Sequence, residues 1–549
     1  YPLSSNPALL SDEGYDLLLS FCRDFYYSNY TEPALLIRII DILLPHYEDR
    51  SDTESLLFLY ICAGFSYMEL SRTGEPTSRD KTIYFYTKVL SYRDQIEFFE
   101  SAASRDYIFI AYYNLIRVAP GLGILDIEAA YRLWEELCQI RTMPKFCQYD
   151  TTNPRIPQLC DRAINDFRAY GAVLNVERVI APSAILSSLE NMTQIYYSEI
   201  LHEHGSIYEC PVFTVFNYHY VQARNGTITW EAAWQILDDY YVHKMQTIGQ
   251  VSSPDLLAFY TNLPLNLIDV LGHTHFKEEF KQATYRRYRN LITSYLMNQP
   301  ASLNSYTLNN GVQLVAFHPL ILGTFQNRME KMNFIVDLVV TRHLTTFTHS
   351  VMVSYLAEAI GKHILAARPE FLRIPSSYLE GNVYASPAEV LDYIVPAALF
   401  HDIGKNGMIP IINTQHRKLN DYEFNIIQTH PQKGSDYLSS DPDFLIYQPV
   451  ALGHHRSYDG TRGYPLSFDN TASPYRDAID LIHICDCLDA ATDYLSRNYH
   501  RAKPFDVVLN ELKAGRGTEY NPDMVDVILS DRELYNDLKM LTEQNRENI

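Results

Sequence analysis

Ala397-Ala398-Leu399-Phe400-His401-Asp402-Ile403-Gly404-Lys405 is an apolar, helix-forming run that ends in a histidine, an aspartate and a lysine. Burying an unpaired carboxylate costs several kcal/mol, so an aspartate beside such a run needs a partner. Two arrangements supply one. In the first, His401 and Asp402 form a hydrogen-bonded pair at a capped helix end; in the second, both side chains hold a divalent metal ion. The stretch alone leaves both open, and the surrounding chain decides between them.

Working outward, further histidines and an aspartate lie on or beside predicted helices. His349 opens Thr348-His349-Ser350-Val351-Met352-Val353, which continues as an amphipathic helix to about Leu365. His430 closes a helix that starts at Asn420-Asp421-Tyr422-Glu423, where Asn420 is a plausible N-cap and Glu423 sits at the third helical position. His454 and His455 end the apolar run Ala451-Leu452-Gly453, and Asp486 shares one helical face with Ile479 and Ile482. Any one of these residues is more commonly a satisfied core or capping group. Five histidines and two aspartates recurring at the ends or inner faces of apolar helices point instead to a metal centre. Imidazole and carboxylate ligands without thiolate suit Fe, Mn, Zn, Ni or Co, and an aspartate can bridge two ions. Cys485 and Cys487 flank Asp486 and read as buried free thiols.

Composition bounds the rest. A chain of 549 residues exceeds the size of a single core and divides into domains. Its 47% hydrophobic and 20% charged content describes an ordered protein, with Tyr abundant at 43 residues. A net charge of −21 argues against a general nucleic-acid or anionic-membrane surface, so an anionic substrate requires basic residues concentrated locally. Eight scattered cysteines suit a reducing cytoplasm. No apolar run reaches the roughly 18–20 residues of a membrane helix, and no secretory pattern is present. The chain begins at Tyr1 rather than Met, which reads as an excised piece.

Residues 1–300 read as helix after helix: Glu13–Tyr27, Pro33–His46, Ser55–Leu70, Asp80–Leu90, Ile127–Ile140, Ile156–Tyr170, Ser183–His204, Trp230–Ile248, Pro254–Leu271 and Phe276–Met297. Pairs of these span the length of a helical-hairpin repeat, and Ala111-Tyr112-Tyr113 and Glu128-Ala129-Ala130-Tyr131 carry a weak tetratricopeptide-like texture without strict register. The expectation is an all-α protein: an irregular α-solenoid for sensing or interaction over 1–300, a linker or connecting helix over 301–324, and a metal-centred helical bundle over 325–549. Ten of the 18 histidines lie in residues 343–549.

His401-Asp402-Ile403-Gly404-Lys405 resembles the HD signature of the HD phosphohydrolase superfamily. Downstream, His430-Pro431-Gln432-Lys433-Gly434 and His454-His455-Arg456-Ser457-Tyr458-Asp459-Gly460-Thr461-Arg462-Gly463-Tyr464-Pro465 resemble markers of its HD-GYP subfamily. Asp486-Cys487-Leu488-Asp489-Ala490-Ala491-Thr492 and Asn521-Pro522-Asp523-Met524-Val525 are similar to its closing motifs, so the resemblance spans roughly residues 325–530. It implies an all-helical phosphodiesterase that hydrolyses cyclic di-GMP to linear pGpG, and in some members on to GMP, through a hydroxide bridging two divalent ions. His349, His401, Asp402 and Asp486 would hold one ion, and Asp402, His430, His454 and His455 the other. Lys405, Arg497, Arg501 and Tyr464 would bind substrate.

The chain departs from the family pattern at Thr345, where three-metal members carry a Glu, which implies two ions. Arg456 replaces the usual Glu after the paired histidines, Arg462 lengthens the following loop by one residue, and the spacing from Asp486 to Arg497 is longer than usual. These changes touch the substrate grip and leave the ligand set whole. They keep two other expectations in play: a metal-bound sensor of low activity signalling through the N-terminal helices, and a phosphohydrolase acting on cyclic GMP-AMP or another nucleotide. A protein partner or self-association is expected at the N-terminal region.

Overall fold

The structure is a computed structural model that describes residues 10–27, 33–71, 77–99, 101–121, 123–148, 154–170, 183–247, 256, 259–299, 306–376, 383–408, 419–494 and 502–543. Helices dominate, and the described residues contain no strand, only isolated bridges such as Arg456 to Gly463. The all-α expectation holds. By contacts the chain divides into two compact units, Tyr1–Ser252 with Asp269–Phe276, and Ser253–Ile268 with Lys277–Ile549.

The first unit is a succession of packed helices that begins Asp12–Tyr27, Pro33–Arg50 and Thr53–Ser71. Its abundance of Tyr has a structural use. Tyr86, Tyr112 and Tyr240 are fully buried, and burying a phenol is tolerable when its hydroxyl finds a partner. Tyr112 donates to Glu136 at 2.8 Å, Tyr240 donates to the Cys210 carbonyl at 2.7 Å, and the Tyr86 hydroxyl accepts from Asn114 at 2.9 Å. Two helices escaped the sequence reading, Ala102–Tyr113 and Val212–Arg224. Both are buried on most of their faces, so neither carries the polar stripe that marks an amphipathic helix. The helix expected over 254–271 is described over Asn262–Gly272, and residues 254, 255, 257 and 258 of that expectation lie outside the described residues.

In the second unit, the segment expected to link domains is itself helical at Tyr306–Ala316. Around it, three helices set the frame: Leu344–Ala367, Pro387–Phe400 and Arg476–Thr492, the first packing against the other two. Leu344–Ala367 places Gly361 where a Cβ would lie 2.5 Å from Ile394, so the two helices approach closely there. Pro387–Phe400 starts at a capping box in which the Ser386 side chain accepts from Glu389 N–H and Glu389 accepts from Ser386 N–H, with Pro387 at the first helical position.

Two expectations about boundaries are corrected. His349 lies in the second turn of its helix rather than at its start. His430 does not close the helix begun at Asn420: that helix spans Asp421–Ile427, with the Asn420–Glu423 capping box formed as expected, and His430 begins the next one, His430–Leu438. Pro431 and Gly434 explain the break, since proline at the first turn starts a helix.

The tightest approach joins the turn Ile403–Gly407 to helix His430–Leu438. A Cβ on Gly404 would lie 2.0 Å from the His430 carbonyl oxygen and 2.5 Å from Gly434 N, both backbone atoms that cannot swing aside. Glycine at 404 therefore lets Asp402 and His430 come together. Gly404→Ala is expected to lower stability by about 2–3 kcal/mol through overpacking, read as a drop in thermal midpoint; an unchanged midpoint would show that the turn can move away at no cost.

Candidate metal centre

Three of the histidines sit at helix boundaries and use the same anchor. The last carbonyls of an α-helix lack intrahelical partners. His401 Nδ1 donates to the Ala398 carbonyl at 2.6 Å, His430 Nδ1 to the Ile427 carbonyl at 2.6 Å, and His454 Nδ1 to the Ala451 carbonyl at 3.0 Å, each three residues back. Because a carbonyl only accepts, the proton is on Nδ1 and each Nε2 presents a lone pair. His349, inside its helix, has no free carbonyl beside it. Its Nδ1 is held instead by Asp489, at 2.6 Å, from helix Arg476–Thr492.

The Nε2 atoms converge on Asp402. One carboxylate oxygen, Oδ1, lies 3.1 Å from His430 Nε2 and 3.6 Å from His454 Nε2. The other, Oδ2, lies 3.3 Å from His349 Nε2 and 3.5 Å from His401 Nε2, and also receives Lys405 Nζ. The imidazoles pair among themselves, His349 Nε2 to His401 Nε2 at 3.3 Å and His430 Nε2 to His454 Nε2 at 3.1 Å. Asp486 Oδ1 approaches His349 Nε2 at 3.1 Å, and Asp486 Oδ2 lies 3.6 Å from His455 Nδ1. All seven side chains expected from the sequence are thus brought together, buried except for partly exposed His455.

This donor set calls for a cation. His430 has given its proton to a carbonyl, so it cannot donate to Asp402, and Asp402 Oδ1 is buried without a hydrogen-bond partner. The lone pairs of His430 Nε2 and His454 Nε2, 3.1 Å apart, repel unless positive charge lies between them. Burial holds His401 at about 3 and His430 at about 4, neutral and ready to coordinate. At His349 burial again opposes protonation, but Asp402, Asp486 and Asp489 outweigh it and raise the pKa to about 10, so positive charge is favoured there. Burial would push Asp402 upward; Lys405 and the surrounding imidazoles hold it well below the usual carboxylate range. Donor atoms of Asp402, His430, His454 and His455 lie within 4.8 Å of one another, as do those of His349, His401 and Asp402 and those of His401, His454 and Asp486.

Two supporting residues were not anticipated as such. Asp489 stands in the sequence within the closing-motif stretch Asp486–Thr492, three positions beyond Asp486, the helical spacing that puts both on one face. His483 donates from Nδ1 to the His454 carbonyl at 2.6 Å and stands 3.4 Å from Glu519, which also pairs with Arg462 at 2.9 Å. Arg456, buried, donates to the carbonyls of Gly460 and Gly463 and so staples the loop that follows the paired histidines. That loop lays Tyr464 over His455, with ring centroids 4.5 Å apart. Gly463 adopts φ +87°, and a Cβ there would strike the His455 carbonyl at 1.8 Å. Arg497 and Arg501 lie outside the described residues.

Residues 346–497 match the HD domain family, and this part of the chain is an HD domain. Several curated relatives are similar to this chain. A cyclic di-GMP phosphodiesterase of Vibrio cholerae is 26% identical over 303 residues, covering 50% of this chain and 60% of the relative. The cyclic di-GMP phosphodiesterase response regulator RpfG of Xanthomonas campestris is 33% identical over 146 residues, covering 26% of this chain and 37% of the relative. A 3'3'-cGAMP-specific phosphodiesterase 2 of Vibrio cholerae is 25% identical over 203 residues, covering 36% and 37%. The chain therefore spans between about a third and three fifths of these relatives' lengths.

Removing the support of His349 by Asp489→Asn is expected to weaken divalent-metal affinity by about 10–100-fold with the fold intact, measured by titrating Mn(II) into the metal-stripped protein. Unchanged affinity would show that His349 does not need Asp489. Arg456→Met removes the donor to the carbonyls of Gly460 and Gly463 and is expected to cost about 1 kcal/mol of stability in denaturant titration.

Proposed function

We propose that the chain is a metal-dependent phosphodiesterase that hydrolyses a cyclic dinucleotide, foremost cyclic di-GMP to linear pGpG and then GMP. The observation that carries this reading is the orientation of Asp402, whose two oxygens each face a separate pair of imidazoles. His349, His401, Asp402 and Asp486 would hold one divalent ion, and Asp402, His430, His454 and His455 a second; Fe, Mn, Zn, Ni and Co suit these donors. When bound, such ions neutralise charge on a phosphodiester and lower the pKa of water.

The protein's own groups do the rest. The backbone carbonyls behind His401, His430 and His454 keep the imidazoles in one tautomer. Lys405 holds Asp402 ionised and adds positive charge for a non-bridging phosphate oxygen. Tyr464 covers the exposed side of His455, and Arg497 and Arg501 belong to the substrate grip in this reading. No residue of the cluster is an obvious covalent nucleophile, which favours attack by water. Thr345, in place of a third ion's Glu, favours two ions.

Two relatives are named as 3'3'-cGAMP-specific phosphodiesterases, so cyclic GMP-AMP is the second substrate to try. The N-terminal helices would contribute sensing, a protein partner or self-association. No helix of the described residues is long and apolar enough to cross a membrane, and we place the activity in the cytoplasm.

Protein loaded with Mn(II) or Fe(II) is expected to hydrolyse cyclic di-GMP, and Asp402→Ala to lower kcat by about 10³-fold or more, because several kcal/mol of charge stabilisation depend on the ligand set. Binding of both dinucleotides with no turnover would favour the sensor reading; wild-type and Asp402→Ala proteins of equal activity would sink the phosphodiesterase reading.

A further inference from the structure

Phe424 is a large aromatic side chain left 48% exposed at the rim of the metal centre. Its helix, Asp421–Ile427, is not free to turn it inward. The Asn420–Glu423 capping box fixes the first turn, and Glu423 and Ile426 are buried, which sends Phe424 outward. There its ring meets Tyr464 at 6.5 Å between centroids and 78° between planes. Tyr464 in turn lies 4.5 Å from His455 and 6.0 Å from His430. A continuous aromatic path thus runs from two candidate ligands to solvent.

An exposed apolar cluster bordering a polar, cation-binding centre is an expected feature of a ligand site and an unusual one for idle surface. If a phosphodiester is held at the centre, its bases hang off the sugars and come to rest beside the ligand cluster, where this rim stands. The geometry points to Phe424 as a base-binding residue: a purine of the cyclic dinucleotide stacks on its exposed ring and meets Tyr464 near-perpendicularly, the T-shaped contact that aromatic pairs favour. This rests on the phosphodiesterase reading and goes beyond it by assigning the base contact. Stacking does not distinguish guanine from adenine, so the contact serves cyclic di-GMP and cyclic GMP-AMP alike.

The test compares wild-type, Phe424→Ala and Phe424→Trp proteins loaded with Mn(II). Three quantities are measured: KM and kcat for cyclic di-GMP, calorimetric affinity for a hydrolysis-resistant phosphorothioate analogue, and the inhibition constant of inorganic phosphate, which has no base. Phe424→Ala is expected to raise KM and weaken analogue binding by about tenfold, with the loss in KM rather than kcat. Phe424→Trp is expected to restore both, and phosphate inhibition to stay within twofold of wild type. Wild-type affinity for the analogue in Phe424→Ala overturns the assignment alone, as does an equal weakening of phosphate and analogue, which would mean a deformed centre. A wild-type protein that takes phosphate but neither binds nor cuts a cyclic dinucleotide removes the phosphodiesterase reading and the assignment with it.

Discussion

The second unit is built around keeping one buried carboxylate ionised. Asp402 is almost fully buried, and burial alone would neutralise it. What prevents this is an arrangement spread over five segments of chain: Lys405 on the adjoining turn and imidazoles from helix Leu344–Ala367, from the end of Pro387–Phe400, from the start of His430–Leu438 and from the end of Gln448–Gly453. The close backbone approach at Gly404 and the helix packing at Gly361 follow from this demand, because a carboxylate with only two oxygens can serve four imidazoles only if their helices meet at one point.

The helix ends perform two tasks with one bond. A terminal carbonyl needs a donor and a coordinating imidazole needs a fixed tautomer, and a histidine just past a helix that bonds three residues back satisfies both. His401, His430 and His454 all do this. His349 shows why the position matters: inside a helix the carbonyls are taken, and a separate carboxylate, Asp489, becomes necessary. The centre therefore needs more acidic residues than its inward-facing donors alone would suggest.

This division explains what could be read from the sequence. Residues whose chemistry is out of place in an apolar run, such as Asp402 or Asp486, announce themselves, and a capping box such as Asn420–Glu423 is a local signal that survives folding. Residues that act by supporting others do not. Asp489 and His483 occupy ordinary helical positions, and only the fold reveals that Asp489 holds the His349 ring and His483 the His454 backbone. The break before His430 was lost for a related reason, since two short helices separated by a tight turn keep nearly the same apolar spacing as one long helix. In the first unit, helices such as Val212–Arg224 are buried on most faces and therefore carry no polar stripe.

The departures of this chain from the HD-GYP pattern acquire a physical meaning in the loop after His455. Arg456 points not at the donor cluster but back along its own loop, to the carbonyls of Gly460 and Gly463, and the added Arg462 reaches Glu519, which stands beside His483. Both arginines thus act on the loop's shape, and the loop carries Tyr464. His401, His430 and His454 are anchored at helix ends, apart from these changes, whereas the loop that carries Tyr464 is stapled by them. Arg456 and Arg462 thus bear on how the loop holds Tyr464 against Phe424, at a step removed from the chemistry around Asp402.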